Sequence, residues 1–210
     1  MYKTITLDLR YINMKVTIPE NISDITLEQF QKFALLENED NKEKVKIFIG
    51  LSDEDIVGVS QSDFNKLVNA IDEALSKQVE FQPRFEMNGV KFGFHPNLDR
   101  MTTAEYVDLM NYNSQPDTLH KLMAILFRPI TGRDMSGNYK IASYNGTEEY
   151  SNYMKQTPLH IVNGALVFFL NLSKELRTNI LKFSNQEELQ KARVHQIIGL
   201  NGAGMQRSSN

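Results

Sequence analysis

Apolar and polar residues alternate from the start of the chain: Ile5, Leu7 and Leu9 against Thr4, Thr6 and Asp8, then Met14, Val16 and Ile18 against Lys15 and Thr17. Two adjacent runs of period two predict the strands of a hairpin, and Pro19 ends the second. The period then lengthens. Thr26 followed by Gln29 forms a capping box, and Leu27, Phe30, Phe33, Ala34 and Leu36 give helical spacing to about Leu36. The charged run from Glu37 to Lys44 reads as a solvated helix junction. Short helices are expected over Lys44 to Leu51 and, opened by Ser52 or Asp53, up to Gly58. A longer one starts near Ser60 or Ser62 and runs to about Lys77, with Phe64, Leu67, Val68, Ile71 and Leu75 on one face.

Alternation returns at Phe81 to Met87 and Val90 to Phe94, separated by Asn88-Gly89. Both central positions of a tight hairpin turn need positive φ, which Asn and Gly tolerate best, so this is the strongest short-range signal in the chain. Thr102 with Glu105 repeats the capping box and predicts a helix to about Tyr112. Asp117 is expected to cap a helix holding Leu119, Leu122, Met123, Leu126 and Phe127, ended by Arg128-Pro129. Residues 130 to 156 read as a polar, turn-rich excursion carrying four tyrosines, with a short hairpin around Tyr139 to Ser143. Thr157-Pro158 then opens an apolar helix to about Leu172, expected to be the most buried in the molecule. Further helices are expected over Lys174 to Phe183 and Asn185 to Ile198, before a glycine-rich polar tail.

The same pattern occurs twice. Residues 14 to 33 match residues 90 to 109 at a constant offset of 76, with Lys15 and Lys91, Asn21 and Asn97, and Thr26 and Thr102 identical, and the apolar positions in step. A shared strand, loop and helix pattern implies a shared supersecondary unit. The expected fold is therefore α+β and helix-dominated: two related units of β-hairpin followed by helices, with a C-terminal helical bundle. The units are residues 1–78 and 79–198, the second containing the tyrosine-rich excursion 130–156, and 199–210 form a flexible tail.

Composition narrows the chemistry. The chain has 210 residues and a formal charge of −3, with no net electrostatic drive toward nucleic acid or an anionic membrane. It has no cysteine, which removes disulfides, thiolate metal sites and cysteine nucleophiles. Its N-terminal stretch lacks the apolar core of a signal peptide, so a cytoplasmic site of synthesis and use is expected. The longest apolar stretch, Ala165 to Leu170, is far short of the roughly 20 residues that span a bilayer.

No catalytic signature stands out. His95, near Pro96 and Asp99, lacks the converging ligands of a metal site. His120, His160 and His195 fall in separate predicted helices without HExxH spacing. No serine sits in a GxSxG elbow, and Gly199, Gly202 and Gly204 neither follow a strand nor open a helix. Asp53, Glu54 and Asp55 read as a helix start favoured by the dipole. Nothing calls for a cofactor, a metal or a catalytic residue. Tyrosine combines a large apolar ring with a hydroxyl and suits partly wet protein interfaces. Tyr139, Tyr144, Tyr150 and Tyr153 are therefore partner-binding candidates, their alternative being to pack the excursion onto its own domain. Met205 and Arg207 in the tail complete the set.

The strings IPENISDITLEQFQKF, FGFHPNLDRMTTAEYVDL, LHKLMAILFRPITG and PLHIVNGALVFFLNL resemble proteins of about 200 residues from tailed bacteriophages, nearest to those of Bacteroidota phages, including the crAss-like group. The resemblance implies a non-enzymatic virion structure or morphogenesis protein, assembled in the host cytoplasm. The expected function is a structural protein of the portal, connector or tail region, acting through homo-oligomeric and other phage-protein contacts in a ring-like assembly, without membrane or nucleic-acid partners. The alternative is a tail assembly chaperone absent from the mature particle, for which Met101, Met110 and Met123 would supply adaptable recognition.

Overall fold

The computed structural model describes residues 2–9, 12–38, 40–113 and 115–171. Among them the chain is mixed α+β, with helix outweighing strand and two sheets of two and four strands. Contacts group residues 1–165 into one compact unit, and a second begins at Leu166. The helices expected over 174–198 and the glycine-rich tail lie outside the described residues.

Strands β1 (Tyr2–Leu9) and β2 (Ile12–Pro19) form the antiparallel N-terminal hairpin, with Leu7, Val16 and Ile18 buried on its inner face. A 3-10 turn at Ile22–Asp24 leads into α1 (Leu27–Ala34), capped by Thr26, whose hydroxyl accepts from Gln29 N while Gln29 Oε1 accepts from Thr26 N. The next helix, α2 (Asn41–Ile49), begins three residues before the expected Lys44. Asp40 caps it by accepting from Lys42 N, so half of the charged junction is helical. It ends at Gly50, whose φ of 84° is the left-handed conformation that stops helices. Helix α3 (Asp53–Gly58) starts from a Ser52 cap, and α4 (Gln61–Ser76) buries Leu67, Val68, Ile71 and Ala74.

Asn88 and Gly89, at φ 51° and 77°, turn β3 (Arg84–Met87) into β4 (Val90–Phe94) as expected, although Phe81 to Pro83 stay outside the strand. A 3-10 turn at Leu98–Arg100 precedes α5 (Thr103–Tyr112), capped by Thr102 with Glu105. The 3-10 turns and helix starts of the two stretches thus recur at the same offset of 76 residues. Asp117 is not a helix cap; it sits inside a 3-10 turn at Pro116–Thr118 that runs directly into α6 (Leu119–Leu126).

The main departure from expectation follows α6. Phe127 does not belong to the helix. It opens β5 (Phe127–Arg133), which pairs antiparallel with β4, and β6 (Tyr139–Ile141) pairs with β5 across a bulge between Ile130 and Gly132. The excursion is therefore the second half of a sheet ordered β3-β4-β5-β6. The physical reason is aromatic burial. Phe127 packs edge-on against Phe85 and Phe94 at 5.1 and 5.2 Å, and Phe85 stacks on Phe92 at 5.3 Å. Helix α7 (Glu148–Met154) closes the excursion.

The final described helix, α8, covers 159–171. Its start interlocks with that of α1: Leu27 N and Glu28 N donate to Thr157 O and Lys155 O, and Leu159 N donates to Ile25 O. First-turn N–H groups, which have no partner within a helix, are satisfied there by another segment. Among the described helices α6, buried throughout from Leu122 to Leu126, takes the place expected of α8 as the most buried; burial in α8 covers Leu159, Ile161, Val162 and Ala165. It does not extend to Val167 and Leu170, both more than half exposed and beyond the boundary between the compact units.

Candidate functional site

Glu105 occupies the third position of α5, where the capping box fixes one end of its carboxylate. Thr102 N donates to Oε2, and Thr102 Oγ1 accepts from Glu105 N. The other oxygen, Oε1, lies 2.5 Å from Nη2 of Arg128 on β5 and 3.7 Å from Nε2 of His95, just beyond β4. All three residues are buried, Glu105 to 2 % exposure and Arg128 to 4 %. The Arg128 guanidinium also rests over the ring of Tyr144 at 5.6 Å, and its Nε has no hydrogen-bond partner.

Protonation follows from these contacts. His95 Nδ1 accepts from Asn97 N at 3.3 Å, which puts the proton of a neutral ring on Nε2, facing Glu105. Burial lowers the His95 pKa and Arg128 pushes the same way, against the opposing pull of Glu105. For Glu105, burial alone would raise the pKa. The Thr102 hydrogen bonds, Arg128 and His95 together outweigh it, and the net direction is down. At neutral pH the cluster is a charged Glu105–Arg128 pair beside a neutral imidazole. It pins the start of α5 to β5 and to the end of β4.

The tyrosines of the excursion serve the same internal architecture. Tyr139 OH donates to Phe94 O at 2.8 Å, and its ring lies on Gly93 so closely that a methyl there would sit 2.6 Å from Cε2. Tyr144 OH donates to Asp108, one turn along α5 from Glu105. Tyr150 and Tyr153 approach Phe92 with ring centroids 6.4 and 6.2 Å away. Tyr139, Tyr144 and Tyr150 are half-buried, and Tyr153 is 39 % exposed. Met205 and Arg207 lie outside the described residues.

Two open surfaces flank Tyr139. A groove of about 590 Å³ carries Arg84, Lys91 and Arg133 with Glu86. A second, about 740 Å³, carries Arg100 and Lys140 with Asp134 beside the His95 loop. Across both, five cations stand against two carboxylates in a chain whose net charge is negative. A third surface is apolar: Tyr106, Val107 and Met110 project from the outer side of α5 at 55, 49 and 44 % exposure.

The other residues singled out from the sequence are scattered. His120 Nδ1 lies 3.1 Å from the Gln31 amide, whose Nε2 also donates to Pro116 O. His160 Nδ1 is buried without a partner, and His195 lies outside the described residues. Asp53 pairs with Lys42 and Lys46, and Asp55 completes the Ser52 cap. Met123 is fully buried, Met101 half-buried and Met110 exposed. Among the described residues no group of three or more His, Asp or Glu is placed to hold a metal ion, and no helix is long and apolar enough to cross a membrane.

Sequence reasoning missed Arg128, Asp108 and Gly93. Arg128 carried only the signal of a helix end before proline, and Glu105 only that of a cap. Their pairing across two elements has no local signature. Gly93, the small residue inside an otherwise bulky strand, is the signal that was available for the seat of Tyr139. Compared with known protein families, curated proteins and solved structures, the chain matches none of them.

Proposed function

We propose that this protein is a non-enzymatic structural protein of a tailed-phage virion, in the portal, connector or tail region, acting through subunit contacts in a ring-like assembly. The observation that carries the proposal is the outer side of α5. Tyr106, Val107 and Met110 form a contiguous apolar surface on a helix whose opposite side is fixed by Leu109 and the Glu105 cluster. Rigidly mounted apolar surface containing tyrosine and methionine is what a protein interface uses at its centre. The recurrence of strand, 3-10 turn and capped helix at one offset supports two related but unequal units. Similar but non-identical faces supply the heterologous contacts from which closed rings are built.

Light scattering behind size exclusion tests this reading. The protein should form a defined oligomer, and Tyr106→Glu with Met110→Glu should lower its mass while leaving the circular dichroism spectrum unchanged. A monomer at every concentration would sink it. The second reading, a tail assembly chaperone that leaves before maturation, draws on exposed Met110 and the fully exposed Met135, since flexible thioethers adapt to varied partners. Particles that lack the protein would favour it.

A further inference from the structure

The apolar side of α5 leaves the charged surfaces of the chain unexplained, and the most distinctive of these is the groove on the outer face of the four-stranded sheet. We infer that this groove is a docking site for the α3 edge of a second copy of the chain, a head-to-tail contact that rests on the assembly reading above and supplies its polarity.

The strand register sets up the groove. Arg84 lies opposite Gly93, and Glu86 opposite Lys91, so these positions share one face of the sheet. Gly93 leaves that face low, and Tyr139 from β6 fills the depression with its ring. The Arg84 guanidinium approaches the same ring at 5.9 Å. Lys91 and Arg133 add two further cations, and Phe85 with Ile130 of β5 supplies apolar lining. Arg84, Lys91 and Arg133 are all exposed, so this is a cationic rim around a partly apolar floor with one carboxylate in it. Arginine and tyrosine held in place by their surroundings are the residue types that dominate protein-protein binding energy.

The complementary surface is on the same chain. In α3, Glu54 and Val57 are three residues apart and therefore on one side of the helix. Both are exposed, Val57 to 80 %, and Asp53 stands beside them with its carboxylate held by Lys42 and Lys46. Val57 beside the Glu54 carboxylate fits a groove with an apolar floor and a cationic rim, while the charge of Asp53 is already met by Lys42 and Lys46. A nucleic-acid strand fits less well. Arg84 already approaches the Tyr139 ring, where a base would have to stack, and Glu86 would repel a phosphate. Because groove and edge are different surfaces of one chain, each copy offers one of each, which generates a directional, heterologous contact.

The test uses two full-length variants. Groove-reversed chains carry Arg84→Glu and Arg133→Glu; edge-reversed chains carry Glu54→Lys and Val57→Lys. All four positions are exposed, and circular dichroism and thermal melts check that folding is kept. Each variant alone should self-associate about tenfold or more weakly than wild type, because like charges then face each other. Mixed in equal amounts, they should reach a mass well above that of either alone, since every junction between the two variants regains opposite charges. Wild-type association should weaken as salt rises from about 0.05 to 0.5 M, where the Debye length shrinks well below 10 Å. An oligomer indifferent to both reversals overturns the groove contact and leaves the assembly reading standing. Failure of the mixture to exceed the mass of either variant alone also overturns it, as does salt-sensitive binding of a DNA duplex by wild type but not by the groove-reversed chain. A wild-type protein that is monomeric at all salts overturns both.

Discussion

Replacing Glu105 by Gln removes one negative charge from the interior while changing almost nothing in shape, and the capping box at Thr26 shows why the substitution isolates charge. At the equivalent position 76 residues earlier, Gln29 already performs the capping role with a neutral side chain, accepting from Thr26 N through Oε1 and sending Nε2 to Ile47 O. The Glu105→Gln variant therefore keeps the cap of α5, and what it loses is the pairing of Arg128. That guanidinium is buried to 4 % exposure, and its Nε already has no partner. Breaking a buried pair from one side leaves an uncompensated charge, which destabilises by about 3–5 kcal/mol. A domain of this size is stable by about 5–15 kcal/mol, so the loss is a large share of the total. Urea denaturation with linear extrapolation measures it directly. Arg128→Met added to Glu105→Gln should recover most of the loss, because the stranded charge is then gone. A loss below about 1 kcal/mol for Glu105→Gln, the range of an exposed ion pair, would refute the claim that this pair is dry and structural.

Three further outcomes follow from the same structure. A Gly164→Ala methyl would sit 2.7 Å from Glu80 O, a backbone atom that cannot rotate away, so α8 must shift; about 1–3 kcal/mol of destabilisation is expected, read as a fall of about 2–4 °C in Tm per kcal/mol. Gly93→Ala should unseat Tyr139 and release its hydrogen bond to Phe94 O, seen as faster amide exchange in β6 than in β3, whereas unchanged exchange would show that the ring is not held there. On acidification, His95 and Glu105 act in the same direction. Both have folded pKa values below their ordinary ones, so the unfolded chain binds more protons and stability rises with pH. The His95 contribution should be lost as pH falls below about 6.5 and that of Glu105 below about 4.5. Denaturation midpoints from pH 8 to 3 check the sign, and His95→Gln should flatten the upper part of the fall.

What was legible in the sequence was what depends on neighbours along the chain. Asn88-Gly89 had to turn, because both central residues take positive φ, and Thr26, Ser52 and Thr102 had to start helices, because each meets a side chain or N–H three residues on. What stayed hidden depends on distant partners. Phe127 to Arg133 carries a Pro at position 129 and a continuation of helical apolar spacing, and only the docking of Phe127 onto Phe85 and Phe94 makes it a strand. A short hairpin was legible around Tyr139 to Ser143, but only Tyr139–Ile141 is strand and its partner is β5, a pairing seated where Tyr139 reaches the low point left by Gly93. In the same way the tyrosines were visible as a cluster, but their use was not: Tyr144 finds Asp108 across 36 residues of chain. The start of α2 differs for a local reason, since Asp40 reads as one more solvated charge when its carboxylate is a cap.

The central claim is that this chain is a lasting component of a particle rather than a transient helper. If the proposed phage origin is right, its most direct test is the copy number of the protein in purified phage particles, measured by quantitative mass spectrometry against a known capsid component. A virion component is present at a fixed number of copies per particle, unchanged by further purification. Absence of the protein from particles, with abundant protein free in the infected-cell lysate, would overturn the structural role.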